Sequence, residues 1–216
     1  MPWALGFWSD RTFFQNSLNL IFGTLSDKIP QDFIEDRSSL RGAPFDVNAM
    51  KAAIPQMRDQ LRSHADWIDA QLAGGREWLL DSFSLADVNA YMNIWSLRFN
   101  IADAGTWLAE FPCLLAWEKR VQALGHGERS EMTSGEALQI ASEAQPETPV
   151  LADPNDPNGR QPGDTVSIAP DDYGKVAVTG EIVSLSAQHI AIRRKDERAG
   201  EIVAHFPRAG FLLAAG

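Results

Sequence analysis

Through the first two thirds of the chain, hydrophobic residues recur at spacings of three and four, which is the period of an amphipathic helix. The run that begins at Trp8 shows this clearly, with Phe13, Phe14, Leu18 and Ile21 along one stripe. Short polar residues precede several runs as caps, and Gly or Pro follows them as stops. We therefore predict helices over residues 8–24, 31–40, 47–72, 84–99, 103–109, 112–124 and 133–144.

Local signals set the ends of these helices. Ser9 or Asp10 is the predicted cap of the first helix, and Asp46 is the predicted cap of the helix over 47–72. Pro55 interrupts that helix, which predicts a kink or a restart. The glycine pair at 74–75 is expected to end it, because glycine readily adopts the left-handed conformation of a helix stop.

The pattern changes after Gln145. Prolines recur through a segment rich in Asp and Asn, which predicts an extended linker. Beyond it, short hydrophobic runs separated by turn residues predict strands over 165–168, 180–185, 189–194, 201–206 and 211–214. The predicted fold class is therefore α + β in separate domains: an all-α bundle over 1–145, a linker over 146–162 and a small all-β domain over 163–216. The β-domain is expected to be an SH3-like barrel or an antiparallel sheet.

Composition and charge narrow the classes of function. The chain has 216 residues and a formal net charge of −10, which disfavours binding to nucleic acid. No apolar run is long enough to span a membrane, and the first residues do not resemble a signal peptide. Cys113 is the single cysteine, which fits a reducing compartment, so the sequence predicts a cytoplasmic protein.

Ser84 and Asp87 stand three residues apart before an apolar run, which is the spacing of a helix-capping box. Its neighbours are Trp78-Leu79-Leu80, Ala86, Tyr91 and, further on, Phe111-Pro112-x-Leu114-x-x-Trp117-x-x-Arg120-Val121. Together these residues resemble the C-terminal all-helical domain of the glutathione S-transferase superfamily, in which such a box starts the central helix. The resemblance extends over about residues 8–144.

The resemblance implies that glutathione is bound by a thioredoxin-like N-terminal domain. Only seven residues precede Trp8, which are too few for such a domain, so we expect the glutathione-binding half to be absent from this chain. Glutathione is then the implied co-substrate, and no cofactor is predicted to be bound by the chain itself. Whether the chain is an enzyme stays open, because the residue that activates glutathione would lie outside it.

By the same resemblance, the first helix of this domain receives the electrophilic substrate. Trp8, Arg11 and Phe14 are therefore candidate substrate-binding residues, together with Tyr91 and Trp95 on the capping-box helix. Core packing is the alternative for Tyr91 and Trp95, since apolar helical spacing usually marks a buried face. A solvated surface charge is the alternative for Arg11.

No catalytic residue is predicted within the chain. Ser84 and Asp87 are assigned to the structural capping box, because no His follows at a spacing that suggests a catalytic triad. The four histidines stand far apart along the chain, so no metal site is predicted. Arg193 and Arg194 form the main basic concentration, which is diluted by neighbouring acidic residues.

Two functions follow from these observations. The leading one is a glutathione S-transferase-like protein whose helical domain contributes the electrophile-binding side of the site and is inactive alone. The alternative is a non-catalytic dimerisation or docking module, with the β-domain binding a peptide or nucleic acid. Both predict a partner, either a second copy or a thioredoxin-like glutathione-binding domain, on an exposed apolar patch around Trp3, Phe7 and Trp8.

Overall fold

The computed structural model describes residues 1–146 and 149–216. Residues 147 and 148 of the predicted linker lie outside the described residues. The chain divides into two compact units, which we call the helical unit, residues 1–35 and 45–129, and the sheet unit, residues 36–44 and 130–216. The predicted domain boundaries at 145 and 162 stay predictions.

The chain begins with a helical segment in three parts: α1 over Pro2–Trp8, a π-helical turn over Ser9–Phe13, and α2 over Phe14–Thr24. The predicted start at Trp8 is wrong, because Pro2 already occupies the first turn, where its missing N–H costs no hydrogen bond. The predicted cap is wrong as well, because Ser9 lies inside the helix and is fully buried.

The π turn changes which aromatic side chains share a face. In an α-helix, residues five apart point about 140° apart, whereas the wider i→i+5 turn of a π-helix brings them closer to one side. The rings of Trp8 and Phe13 accordingly lie 5.4 Å apart. The predicted single stripe is therefore divided, with Phe13 fully buried and Phe14 half-buried.

The remaining helices follow the sequence signals closely. Asp46 caps α4 by accepting from the backbone N–H groups of Asn48 and Ala49, at 3.0 and 2.9 Å, and Pro55 lies in the first turn of α5, which confirms the restart. The predicted stop at 74–75 is confirmed, since both glycines have positive φ. These helices are α3 Gln31–Arg41, α4 Val47–Ala52, α5 Ile54–Leu72, α6 Leu85–Asn100, α7 Ala104–Leu108, α8 Pro112–Ala123 and α9 Ser134–Glu143.

The core of the helical unit is built around α6. This helix packs against α1, the π turn, α2, α7 and α8, and Ala90, Ile94 and Leu97 on its inner face are fully buried. Trp117 of α8 is the largest fully buried side chain. Burial of such apolar surface is the main stabilising contribution to the fold.

Gly23 marks the place where α2 and α4 meet closely. A Cβ atom at Gly23 would lie 2.5 Å from the carbonyl oxygen of Met50, and this neighbour is backbone, so the two helices would have to separate. We expect Gly23→Ala to lower the free energy of unfolding of the helical unit by about 1–3 kcal/mol, the usual cost of overpacking. Denaturation followed by tryptophan fluorescence measures this, because all seven tryptophans lie in the helical unit.

Gly105→Ala is the matched control for this substitution. A Cβ atom at Gly105 of α7 would lie 3.4 Å from the Arg98 guanidinium, at the end of a flexible side chain. We expect a cost below about 1 kcal/mol, because the side chain can move away at little cost. Equal losses of stability in the two variants would contradict the view that the α2–α4 contact at Gly23 is the tighter of the two.

The described residues of the sheet unit form five strands, each joined to its neighbours in antiparallel pairs, in the order β4-β3-β2-β1-β5. This confirms an antiparallel sheet. Among the described residues the sheet is open, because β4 and β5 form its two edges and do not pair with each other, and the SH3-like barrel is unconfirmed. The strands are β1 Thr165–Pro170, β2 Val178–Leu185, β3 His189–Asp196, β4 Gly200–Pro207 and β5 Phe211–Ala215.

Part of the predicted linker is attached to the sheet. Leu151 forms a bridge with Ser184 of β2, and the Asp156 side chain is almost fully buried. Its carboxylate accepts from the Arg208 guanidinium at 2.9 Å and from the N–H groups of Asn158 and Arg160 at 3.0 and 3.1 Å. Around Asp156, this segment is therefore a packed part of the sheet unit.

Candidate functional site

The capping box at the start of α6 is confirmed. The Ser84 hydroxyl accepts from the backbone N–H of Ala86 at 3.3 Å, and the Ser84 N–H donates to Asp87 Oδ2 at 3.0 Å. Asp87 does more than cap the helix, because its Oδ1 accepts from the Leu79 N–H at 3.0 Å and from the Trp117 indole N–H at 2.9 Å. One buried carboxylate thus joins the 76–84 loop, α6 and α8.

The other residues of the motif surround this carboxylate. The Arg120 guanidinium donates two hydrogen bonds to the Glu77 carbonyl oxygen, at 3.1 and 2.8 Å, and lies 5.9 Å from the ring centre of Trp78. These contacts hold the 76–84 loop against α8. The motif therefore has a structural explanation, which fits the assignment of Ser84 and Asp87 to structure rather than catalysis.

An aromatic group, which sequence reasoning missed, encloses His64 of α5. The rings of Trp8, Phe13 and Trp67 lie 5.5, 5.1 and 5.0 Å from the His64 ring, and His64 itself is only 2% exposed. Nothing in the sequence pairs residues 56 positions apart, so no local signal could have identified this contact. The group ties the first helical segment to α5.

The hydrogen bonds of His64 define its tautomer. The Trp8 indole N–H donates to Nδ1 at 3.3 Å, and an indole can only donate. The proton of the neutral ring then lies on Nε2. The Asn16 atom 3.1 Å from Nε2 is the side-chain nitrogen, so a half-turn of this amide, which exchanges its nitrogen and oxygen, supplies the acceptor that the tautomer requires. Burial lowers the pKa of His64 below its ordinary value of 6.5, because the charged form loses hydration.

This lowered pKa predicts a pH-dependent stability. Below about pH 6.5 the unfolded chain gains a proton at His64 while the folded chain resists it, so stability is expected to fall as pH decreases through this range. The slope is at most about 1.4 kcal/mol per pH unit for one group. Denaturation midpoints by tryptophan fluorescence between pH 7.5 and 5.5 measure this slope.

His64→Gln should flatten the dependence of stability on pH. His126→Gln, at an exposed position, is the control and should leave it unchanged. Equal slopes in the unmodified chain and both variants would contradict the prediction.

The outer face of α6 carries an exposed apolar stripe. Its members recur at spacings of three and four, and their exposed fractions run from 37% to 76%. Trp3 and Phe7 of α1, the helix packed beside α6, are also exposed. We call these side chains the apolar face; they are Trp3, Phe7, Leu85, Val88, Met92, Trp95 and Phe99. The predicted patch is thus present at Trp3 and Phe7, whereas Trp8 is half-buried.

The predicted substrate-binding residues fall into different environments. Trp8 packs in the aromatic group, and Tyr91 is half-buried with its ring 6.2 Å from that of Trp117. Trp95 is exposed and stacks on Phe99 with ring centres 5.6 Å apart. The core-packing alternative therefore describes Tyr91 but not Trp95.

The other two predicted residues lie on the first helical segment. Arg11, in the π turn, is half-buried with its guanidinium 5.0 Å from the ring centre of Phe7, and Phe14 is half-buried at the start of α2. Beneath them, the Asn93 amide donates to the Ser9 carbonyl and hydroxyl oxygens at 3.2 and 3.0 Å. This buried contact fixes the π turn against α6.

In the sheet unit, the fold brings together two histidines that the sequence separates. Nε2 of His189 and Nδ1 of His205 lie 2.9 Å apart on neighbouring strands, so the expectation that all four histidines stand apart is wrong for this pair. Arg193 faces Glu181 and Glu201 at 3.6 and 3.3 Å, so its charge is balanced.

Within residues 1–146 and 149–216, no group of three or more His, Cys, Asp or Glu could hold a metal ion. In the same ranges no helix is long and apolar enough to cross a membrane.

Comparisons with known proteins agree with the helical motif. The family model described as glutathione S-transferase, C-terminal domain, matches residues 51–120, which include α5, α6 and most of α8. A solved structure, described as a GST-like protein from Pseudomonas syringae, superposes with a TM-score of 0.71 at 27% sequence identity. The match covers 99% of this chain and 66% of that chain. No curated protein matches the chain. The chain is thus similar to glutathione S-transferases in this part of its helical unit.

Proposed function

We propose that the helical unit supplies the electrophile-binding side of a glutathione conjugation site. In this reaction the glutathione thiolate forms a bond to an electrophilic carbon, and the leaving group departs from that carbon with its bonding electrons. A thioredoxin-like domain or chain seated on the helical unit would hold glutathione and activate its thiol. The family match over residues 51–120 and the similarity to a GST-like protein support this proposal.

The apolar face is the observation that carries the proposal. Phe99 is 76% exposed and Trp3 is 71% exposed, and large exposed apolar side chains on two helices that pack together suit a site of association. Stacked Trp95 and Phe99 offer a flat surface suited to an aromatic electrophile. Arg11 lies beside Phe7 on the same helical segment, where its positive charge suits an anionic group of the conjugate.

The first test measures glutathione binding and turnover by the 216-residue chain. Calorimetry with glutathione and a conjugation assay with 1-chloro-2,4-dinitrobenzene are both expected to show nothing, because no thiol-activating residue has been assigned within the chain. Saturable glutathione binding with turnover would contradict the proposed division of labour and place a thiol site within the described helices.

The second test measures the electrophile side directly. Titration with 1-chloro-2,4-dinitrobenzene is expected to quench tryptophan fluorescence saturably, and Trp95→Ser should weaken this binding by about tenfold or more, the equivalent of about 1.4 kcal/mol. Ile140→Ser, at an exposed position of α9, is the control and should leave it unchanged. Unaltered binding by the Trp95 variant would remove Trp95 from the site.

A non-catalytic dimerisation or docking module is the second candidate function. The apolar face favours it too, because two copies could bury this surface against each other. Sedimentation at micromolar concentration should then show a dimer that Phe99→Glu dissociates and Ile140→Glu does not. A strictly monomeric chain would contradict the dimer and leave a thioredoxin-like partner as the candidate that covers the apolar face.

The balanced charge of Arg193 argues against nucleic acid as the ligand of the sheet. We place the protein in the cytoplasm, where glutathione is kept reduced.

A further inference from the structure

The proposed function does not involve His189 of β3 and His205 of β4, which face each other. Ala191 lies opposite His205, and His189 lies opposite Pro207, so the two histidines are diagonal neighbours on one face of the sheet. Continuous pairing from His189–Pro207 to Asp196–Gly200 holds the two strands in this register. The backbone therefore holds the two side chains next to each other.

We propose that Nε2 of His189 and Nδ1 of His205 bind a divalent transition-metal ion, Cu²⁺ or Ni²⁺, with water as the remaining ligands. Imidazole nitrogens bind such ions at about 2.0–2.1 Å. Two bonds of that length at a right angle separate the nitrogens by about 2.9 Å, whereas a tetrahedral angle requires about 3.3 Å. The observed separation is 2.9 Å, which matches the right angle of tetragonal Cu²⁺ and Ni²⁺ sites.

Space for water ligands lies beside His205. His205 lines a cavity of about 330 Å³ with Glu201 of β4 and Gln145. His205 is exposed, so an ion from solvent can reach its imidazole and replace the hydrogen bond to His189.

The proton balance is simple for a neutral pair. In the metal-free protein one of the facing nitrogens carries the hydrogen of their mutual hydrogen bond, and the other accepts it. When the ion binds, that hydrogen transfers through solvent to the outward nitrogen of the same ring. Both facing nitrogens then present lone pairs to the ion, and no net proton is released.

The test is titration of the full chain with copper(II) and nickel(II) salts by calorimetry at pH 7.5 in a non-coordinating buffer. One ion per chain is expected, and electron paramagnetic resonance of the copper complex should show coupling to two nitrogens. His189→Ala and His205→Ala should each lower the affinity at least tenfold. His126→Ala, at an exposed position in the helical unit, is the control and should not change it.

Three outcomes would overturn the proposal. These are the absence of saturable binding up to millimolar metal, affinities in the His189 and His205 variants equal to that of the unmodified chain, and an equal loss in the His126 variant. Circular dichroism of each variant establishes that it is folded. If an alanine variant fails to fold, His205→Asn replaces it and keeps the comparison decisive.

Discussion

Asp87→Ala is expected to lower the free energy of unfolding of the helical unit by about 3–5 kcal/mol. The substitution leaves the Leu79 N–H and the Trp117 indole N–H without an acceptor, and each buried donor left unpaired costs about 1–3 kcal/mol. It also removes the carboxylate oxygen that accepts from the Ser84 N–H in the capping box. Urea denaturation followed by tryptophan fluorescence measures the loss.

Ser84→Ala separates the cap from the rest of this network. It removes the hydroxyl that accepts from Ala86 but keeps the Asp87 carboxylate in contact with Leu79 and Trp117, so we expect a loss of about 1 kcal/mol. Similar losses for the two substitutions would contradict the view that Asp87 chiefly joins the loop, α6 and α8. The comparison holds only if the slope of the free energy of unfolding against urea concentration is the same in both variants and the unmodified chain.

Asp156→Ala is expected to destabilise the sheet unit by a comparable amount, about 3–5 kcal/mol, because it leaves the Arg208 guanidinium without its buried partner. The segment around Asp156 should then detach from the sheet. Hydrogen exchange of β2 and β3 peptides by mass spectrometry measures the loss, since the slowest amides report global opening. Tryptophan fluorescence should not change, because no tryptophan lies in the sheet unit.

Asp153→Ala is the matched control for the Asp156 substitution. Asp153 also accepts from a backbone N–H two residues ahead, that of Asn155 at 2.9 Å, but it is only half-buried. Its loss should cost less than about 1 kcal/mol. Equal effects would show that the local turn, rather than the buried pair with Arg208, stabilises this segment.

The contribution of Asp156 should also depend on pH. Burial by itself would raise the pKa of its carboxyl, but the Arg208 guanidinium and the N–H groups of Arg160 and Asn158 together hold the pKa below the ordinary value of 3.8. The stabilisation is therefore full above that value and lost as pH falls through the lowered pKa. Asp156→Ala should accordingly cost less in strongly acidic solution than at neutral pH.

Interactions between residues close in sequence were readable from the sequence. The box at Ser84–Asp87, the cap at Asp46 and the restart at Pro55 were all predicted and all form. Each depends on hydrogen bonds or sterics within about four residues, so local pattern contains the needed information. The strands were found for the same reason, although the alternation of side chains could not show whether the sheet closes.

The candidate sites depended on contacts that span tens of residues. His64 meets Trp8 across 56 positions, and Asp156 meets Arg208 across 52. His189 and His205 are 16 apart, yet they become neighbours because β3 and β4 pair in one register. A one-residue shift of that register would place the two histidines on opposite faces, and the sequence does not state the register.

By itself, then, the sequence determined the type and approximate ends of most helices and strands, the helical motif and the presence of apolar surface near Trp3. Tertiary structure alone decided that the first helix contains a π turn, that Asp87 joins three segments, and that Trp95 is exposed while Tyr91 is half-buried. The physical reason is that hydrophobic period and capping are local properties of the chain. Burial and side-chain partners arise only when distant segments pack together.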